Sequence, residues 1–344
     1  MGVSEKSVFL RDGVTYKTIR DNAFFSWSYF FMNILATVIA SYGLLANSPA
    51  VVIGAMIIAM LLEPIIGMGL ALADNDHYLF RTGVSTLIKG VIGIVVTAFI
   101  IGLIHRNVFL TNEIIVRTAP NIFDLMIGLA GGAAAAYATI SPRLNTGIVG
   151  VAISTALVPP LASGSILLSR GEITLAMGAF LLDFTNMVAI QFAASVILWL
   201  NKIHKTSKME LFELKKFIRR NIITICVLIL LGLILSANLQ KAVKSELFEE
   251  STKSTLDKEI SFLSGSYLID TSFEKRSNIT IVRAVIGGLI PPSAEQVGII
   301  EDSLPAPPDG NRIELRIRFV QMDTINRNGL VYADTNFTIP KTLN

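Results

Sequence analysis

Between Phe24 and Ala237 the apolar positions neither alternate nor form a one-sided stripe. They fill whole stretches separated by short polar breaks, at 24–45, 49–73, 82–104, 122–140, 147–168, 172–200 and 220–237. Each stretch is close to the ~20 residues that a helix rising 1.5 Å per residue needs to cross ~30 Å of hydrocarbon. About seven spans are predicted, joined by connections short enough for antiparallel neighbours. After residue 237 the pattern changes. Residues 239–263 are charged and helix-compatible, and Ile279–Ile286 is rich in β-branched residues. Arg312–Gln321 alternates, with Ile313, Leu315, Ile317 and Phe319 on one face and Arg312, Glu314, Arg316 and Arg318 on the other, as in a half-buried strand. Ser293–Leu304, after Pro291-Pro292, predicts a short helix between those strands. The predicted fold class is thus an α-helical polytopic membrane protein with a small α+β soluble C-terminal domain over 238–344.

Composition agrees with a lipid-solvated chain: 52% of the 344 residues are apolar and 16% are charged, against about a quarter charged in soluble domains. Residues 1–23 are polar, and the first apolar run is too long for a cleaved signal, so it is read as a retained span. Trp27, Tyr29, Tyr42 and Trp199 are placed as interfacial anchors. The single cysteine, Cys226, excludes an intrachain disulfide, and His77, His105 and His204 show no ligand spacing. No metal or cofactor is expected.

Charge supplies the orientation. If all seven runs cross, one side holds Lys6, Arg11, Lys17, Arg20, Arg81, Arg143 and seven cations of loop 201–219 with Arg220. The short loops opposite hold three, Arg106, Arg117 and Arg170. Thirteen against three places the N-terminus in the cytoplasm of a multi-pass plasma-membrane protein and residues 238–344 outside it. Re-entrant second and fifth runs would leave the tally unchanged, so charge does not choose between the two topologies. Length favours a full crossing, since residues 49–73 would reach about 37 Å as helix.

A self-similarity at an offset of 96 residues is the most informative feature. Gly54 leads after nine residues to Glu63-Pro64, and Gly150 leads likewise to Pro159-Pro160. The flanking runs keep nearly the same offset. Repeat one (24–104) therefore recurs as repeat two (122–200), and the two are expected to be inverted. Proline inside a span removes a backbone donor and clashes with the preceding turn. Paired interrupted helices in two repeats point to a transporter's central site. Glu63 is expected directly before the first break. Lys89, Asp183 and Asn186 lie at membrane depth, where charge costs ~2.5–3.5 kcal/mol and calls for an interior partner. Lys89 has the alternative of snorkelling. Asn33 and Asp124 are further candidates for a cavity wall, and the run Gly128–Ala136 predicts a close-packing helix.

The segment Asn47–Ala59 with Glu63-Pro64-Ile65-Ile66-Gly67, and the segment Gly150–Ala162 ending in Leu157-Val158-Pro159-Pro160-Leu161-Ala162, resemble a family of hydrophobic bacterial and archaeal membrane proteins, domain of unknown function three-eight-nine. The resemblance covers about residues 20–200. It implies a membrane protein and no particular chemistry. The family pattern carries a proline near Met60, which this chain lacks, so a milder first break is expected.

These observations lead to a transporter or exporter of a small solute or ion. Its expected site residues are Gly54, Glu63, Pro64, Lys89, Gly150, Pro159, Pro160, Asp183 and Asn186. The competing expectation is a non-transporting sensor or oligomeric scaffold, in which the external domain binds a ligand or partner. The chain has no His-Glu-x-x-His, Gly-x-Gly-Asp or Gly-x-Ser-x-Gly, so no enzyme is expected. Expected partners are the lipid bilayer, a small solute or ion and further copies in a homo-oligomer, with no nucleic acid, because lipid already accounts for loop 201–219.

Overall fold

The computed structural model describes residues 15–141, 157–201, 211–263, 265–276, 278–321, 324–327 and 329–331. The chain divides into two compact units, Met1–Asn238 and Leu239–Asn344.

The first unit is helical. Residues 15–22 form α1. It is followed by α2 (Trp27–Leu45), α3 (Pro49–Ile58), α4 (Leu62–Asp74), α5 (His77–Ile104), the short α6 (Asn112–Ile115), α7 (Ile122–Ile140), α8 (Val158–Ser169), α9 (Ile173–Leu200) and α10 (Leu211–Ser261), whose last part belongs to the second unit. Among the described residues α2, α5, α7, α9 and α10 are each long and apolar enough to cross a membrane. The pair α3 and α4, bent by 54°, makes a sixth if taken as one span.

Local signals explain the ends. Ser26 accepts from Tyr29 N at 3.0 Å to cap α2, and Asp76 accepts from Leu79 N at 2.9 Å to cap α5. Pro49 opens α3 at its first position, where a missing N–H costs nothing. Asn75 stops α4 in the left-handed conformation, φ 61°. Asn121 and Asp124 form a capping box on α7. Asp124, expected at a cavity wall, thus spends its carboxylate on the Asn121 N–H, 2.8 Å away.

The helices meet through small residues. A Cβ on Gly132 of α7 would lie 2.5 Å from Ile190 Cα of α9, and one on Gly69 of α4 would lie 2.9 Å from Ser195 N. Such close crossings are how apolar helices gain packing without a solvent-driven force between them.

Contacts along the helices give their relative directions. Phe24 meets Tyr78 at 6.3 Å, Tyr29 abuts Gly90, and Tyr42 meets His105 edge-on at 5.4 Å, so α2 and α5 run in the same sense. Residues 49–74 return against them. Val51 and Val52 lie at Gly43, Met60 at Asn33 and Asp74 at Tyr16. α7 and α9 are likewise parallel, with Gly128 against Ala189 and Gly132 against Ile190. α8 ends beside Gly102 of α5, and Arg170 donates to His105 O at 3.2 Å. α10 runs back along α9, through Phe217 on Trp199 at 4.8 Å and Ser195 to Asn221 at 3.2 Å, to the bond from Asn238 to Pro120 O at 3.4 Å.

The second unit has a three-stranded sheet in the order β1 (Tyr267–Lys275), β2 (Ile279–Gly288), β3 (Arg312–Gln321). β2 and β3 are parallel and joined by α11 (Ala294–Ser303), the expected β-α-β arrangement. β1 pairs antiparallel to β2. A hairpin of β4 (Thr324–Asn326) and β5 (Gly329–Val331) follows. Leu256, Ile260, Val282, Ala284, Ile286, Ile300 and Leu315 form its core, with Ile313, Ile317 and Phe319 packed beside them.

The sequence places the seventh span at 220–237 and a charged, helix-compatible stretch at 239–263. The structure has one helix of 51 residues. Hydropathy changes at 238, but no Gly or Pro lies between Leu233 and Leu263 to stop the helix. β1 was not expected either. Its irregular register between Leu268 and Asp270 spoils the alternation that reveals a strand.

Candidate functional site

A helix that starts in a buried apolar setting must satisfy or remove its first N–H groups. α4 and α8 both start in such a setting. Leu61 and Leu157, the residues just before them, are 1% and 0% exposed and lie in one apolar cluster with Ile94. Neither helix has a side-chain cap at that residue. At α8, Pro159 and Pro160 occupy the second and third positions, both buried, so two of the donors that would need partners do not exist. At α4, Pro64 removes one donor and the Glu63 N–H turns back to Met60 O at 3.3 Å.

The break in residues 49–74 therefore lies at Ala59-Met60-Leu61, ahead of the proline. Glu63, expected before the break, stands after it as the second residue of α4. The reason is steric: proline is harmless in the first turn of a helix but clashes with the turn before it, so the helix restarts ahead of Pro64. The break is supported from α2. Asn33, 1% exposed, accepts from Met60 N at 3.0 Å and donates to Tyr29 O at 2.9 Å.

Around the break the structure gathers Tyr29, Asn33, Leu61 and Glu63. Tyr29 was placed as an interfacial anchor, yet it is 2% exposed, and its hydroxyl sits against Gly90 with no hydrogen-bond partner among the described residues. Glu63 is half-buried and within electrostatic range of that hydroxyl. A buried, unpaired Tyr OH is a signal that sequence cannot give, because the same residue near a span end serves equally as an anchor.

Asp183 lies on α9, 3% exposed, and its Oδ1 has no hydrogen-bond donor among the described residues. Asn186, one turn on, is buried, and its Oδ1 would lie 3.2 Å from a Cβ on Gly128. Ser163 of α8 is fully buried with an unpartnered hydroxyl. Gly54 faces open space, with nothing within 4 Å of a Cβ there. Lys89 is exposed on α5, its Nζ 4.8 Å above the Phe25 ring. Gly150 lies outside the described residues. Among the described residues no cluster of three His, Cys, Asp or Glu could hold a metal ion.

The fold defines a class: a chain of apolar helices of membrane-spanning length with a small sheet domain after them. Within that class, residues 56–192 match the family described as Domain of unknown function (DUF389). A relative from Methanocaldococcus jannaschii, itself described as uncharacterized, is 33% identical over 183 residues, 53% of this chain and 57% of the relative. The match thus spans little more than half of that relative's length.

Proposed function

We propose that residues 24–238 form a membrane transporter for a small cation or a proton-coupled solute, with its site where α4 and α8 begin. The observation that carries this reading is the interrupted crossing at residues 59–61, held open by Asn33 and bordered by Tyr29 and Glu63. Interrupted helices at the bilayer midplane are the usual construction of transporter sites. The prolines leave few N–H groups at either helix start, which disfavours an anionic ligand, while Glu63 and Asp183 supply carboxylates for a cation or proton.

The proposal takes the two halves of this unit as an inverted duplication, a reading that helix lengths, spacing and directions support. α5 and α10's predecessor α9 are both 28 residues long and begin 96 residues apart, as do α4 and α8, while α2 and α7 are both 19 residues long. α2 and α5 run one way, and α7 and α9 the other, as inversion requires. In this arrangement residues 49–74 cross fully, the N-terminus is cytoplasmic, and residues 238–344 are extracytoplasmic. No catalytic step is part of the proposal.

Purified full-length chain in proteoliposomes, with a pH dye inside and potassium-valinomycin to set the potential, tests it against Na⁺, K⁺ and H⁺. Wild type should pass a proton or cation flux. Glu63→Gln and Asp183→Asn should each cut that flux at least about tenfold, or 1.4 kcal/mol, with unchanged gel-filtration elution. Equal flux in both variants and in protein-free vesicles would sink the reading.

A further inference from the structure

On the outer face of α5 a groove of 410 Å³ is lined by Phe80, Arg81, Val84, Ser85, Ile88 and Lys89. The spacing sorts these residues into two neighbouring ridges, each stepping four residues at a time along the helix. Phe80, Val84 and Ile88 make an apolar ridge, and Arg81, Ser85 and Lys89 make a polar one beside it.

Lys89 is rooted about 12 Å further along the helix than Arg81. Its ammonium, however, lies over Phe25, the residue after Phe24, which itself meets Tyr78 at the start of α5. The side chain therefore bends back toward Arg81, the direction in which helical side chains lean. Neither cation has an ion-pair partner among the described residues. Of the acids just before α5, Asp76 pairs with Arg20 at 3.5 Å and caps the helix, and Asp74 accepts from Tyr16 at 2.9 Å. Two cations thus border exposed apolar surface with no ion-pair partner among the described residues, an arrangement that an anion would complete.

We propose that this groove binds a phospholipid with an anionic headgroup. The phosphodiester sits between Arg81 and Lys89 with Ser85 as a further donor, and an acyl chain lies along Phe80, Val84 and Ile88. Inorganic phosphate would leave the apolar ridge uncovered. A zwitterionic lipid brings its own cation to the site and loses the charge complementarity.

Native mass spectrometry of the full chain, titrated with phosphatidylglycerol or phosphatidylcholine of identical acyl chains, tests the proposal. The expected result is about a tenfold preference for phosphatidylglycerol, corresponding to 1.4 kcal/mol. The double variant Arg81→Gln with Lys89→Gln should lose that preference. Arg106→Gln, at the opposite end of α5, should keep it. Ser85→Trp fills the groove while retaining both charges and should abolish binding, which decides the question even if the double variant does not fold. Preference retained in the double variant, displacement of the lipid by equimolar inorganic phosphate, or a groove occupied only by a second copy of this chain would each overturn the proposal.

Discussion

Asn33 Oδ1 accepts from the Met60 backbone N–H at 3.0 Å, 27 residues away, at the point where the helix of residues 49–74 comes apart. One side chain of an unbroken helix thereby performs the work of a missing turn. Its own N–H₂ is tied to Tyr29 O at 2.9 Å, which fixes the amide's orientation. Replacing Asn33 with leucine leaves a buried donor unpaired, at a cost of about 1–3 kcal/mol. Asn33→Asp keeps the acceptor but adds a buried charge, so it should rescue only at low pH. Thermal melts of detergent-solubilised protein should show a lower midpoint for Asn33→Leu. An unchanged midpoint would mean that the break does not depend on this bond.

Glycines at the helix crossings divide into two kinds that a melt can separate. Gly132→Ala would push a methyl to 2.5 Å from Ile190 Cα, where backbone on both sides must move. A loss of about 1–3 kcal/mol, the cost of overpacking, is expected. Gly54→Ala meets nothing within 4 Å and sits inside a helix, so it should stabilise by about 0.5–1 kcal/mol. Destabilisation by Gly54→Ala would show that position 54 is covered, for instance by another copy of the chain.

The different outcomes for these glycines show where sequence stops being informative. The extents of α2, α7 and α9 were legible to within about three residues because hydropathy changes sharply at their ends, whereas α10 runs well past the expected 220–237. The β-α-β order was legible because Arg312–Gln321 alternates. Depth and facing were not legible. Lys89 and Asp183 look equivalent along their spans, yet one is exposed and the other buried, because what decides is which neighbour covers each face. The break was legible as an event, but it was displaced from Glu63-Pro64 to Ala59–Leu61, since proline ends the preceding helix and begins its own.

Tyr16 donates to Asp74 at 2.9 Å and ties α1 to the end of α4. Burial, then the hydrogen bond to Asp74 and that residue's charge, push the tyrosine hydroxyl up to about 12, with Arg20 pulling the other way. The fold therefore favours the neutral phenol. Its contribution is fully present below the ordinary value of 10.0 and is lost as pH rises through about 12. Melts between pH 9 and 12 should fall more steeply for wild type than for Tyr16→Phe, and the variant should lose about 0.5–1.5 kcal/mol at pH 7. Parallel curves would place Tyr16 in water, free of Asp74.

Sidedness is the prediction on which the inverted arrangement stands or falls. The turn after α4 lies at the end of the unit marked by Tyr16 and Arg20, whereas the turn after α8 lies at the end marked by His105. If residues 49–74 and the run ending at Ser169 both cross fully, these two turns face opposite sides of the membrane. Asn75 and Gly171 are poor places for a probe, because both hold positive φ, 61° and 84°, which strains a cysteine. The neighbouring exposed positions His77 and Glu172 have ordinary backbone and suit it better. Cys226 is exposed and must first be replaced by alanine. In inside-out and right-side-out vesicles, a membrane-impermeant maleimide should label His77→Cys from the cytoplasmic face and Glu172→Cys from the other. Labelling of both from one face would make the two halves parallel. The buried starts of α4 and α8 would then be the bases of two re-entrant hairpins, an arrangement that would favour a static pore over alternating access.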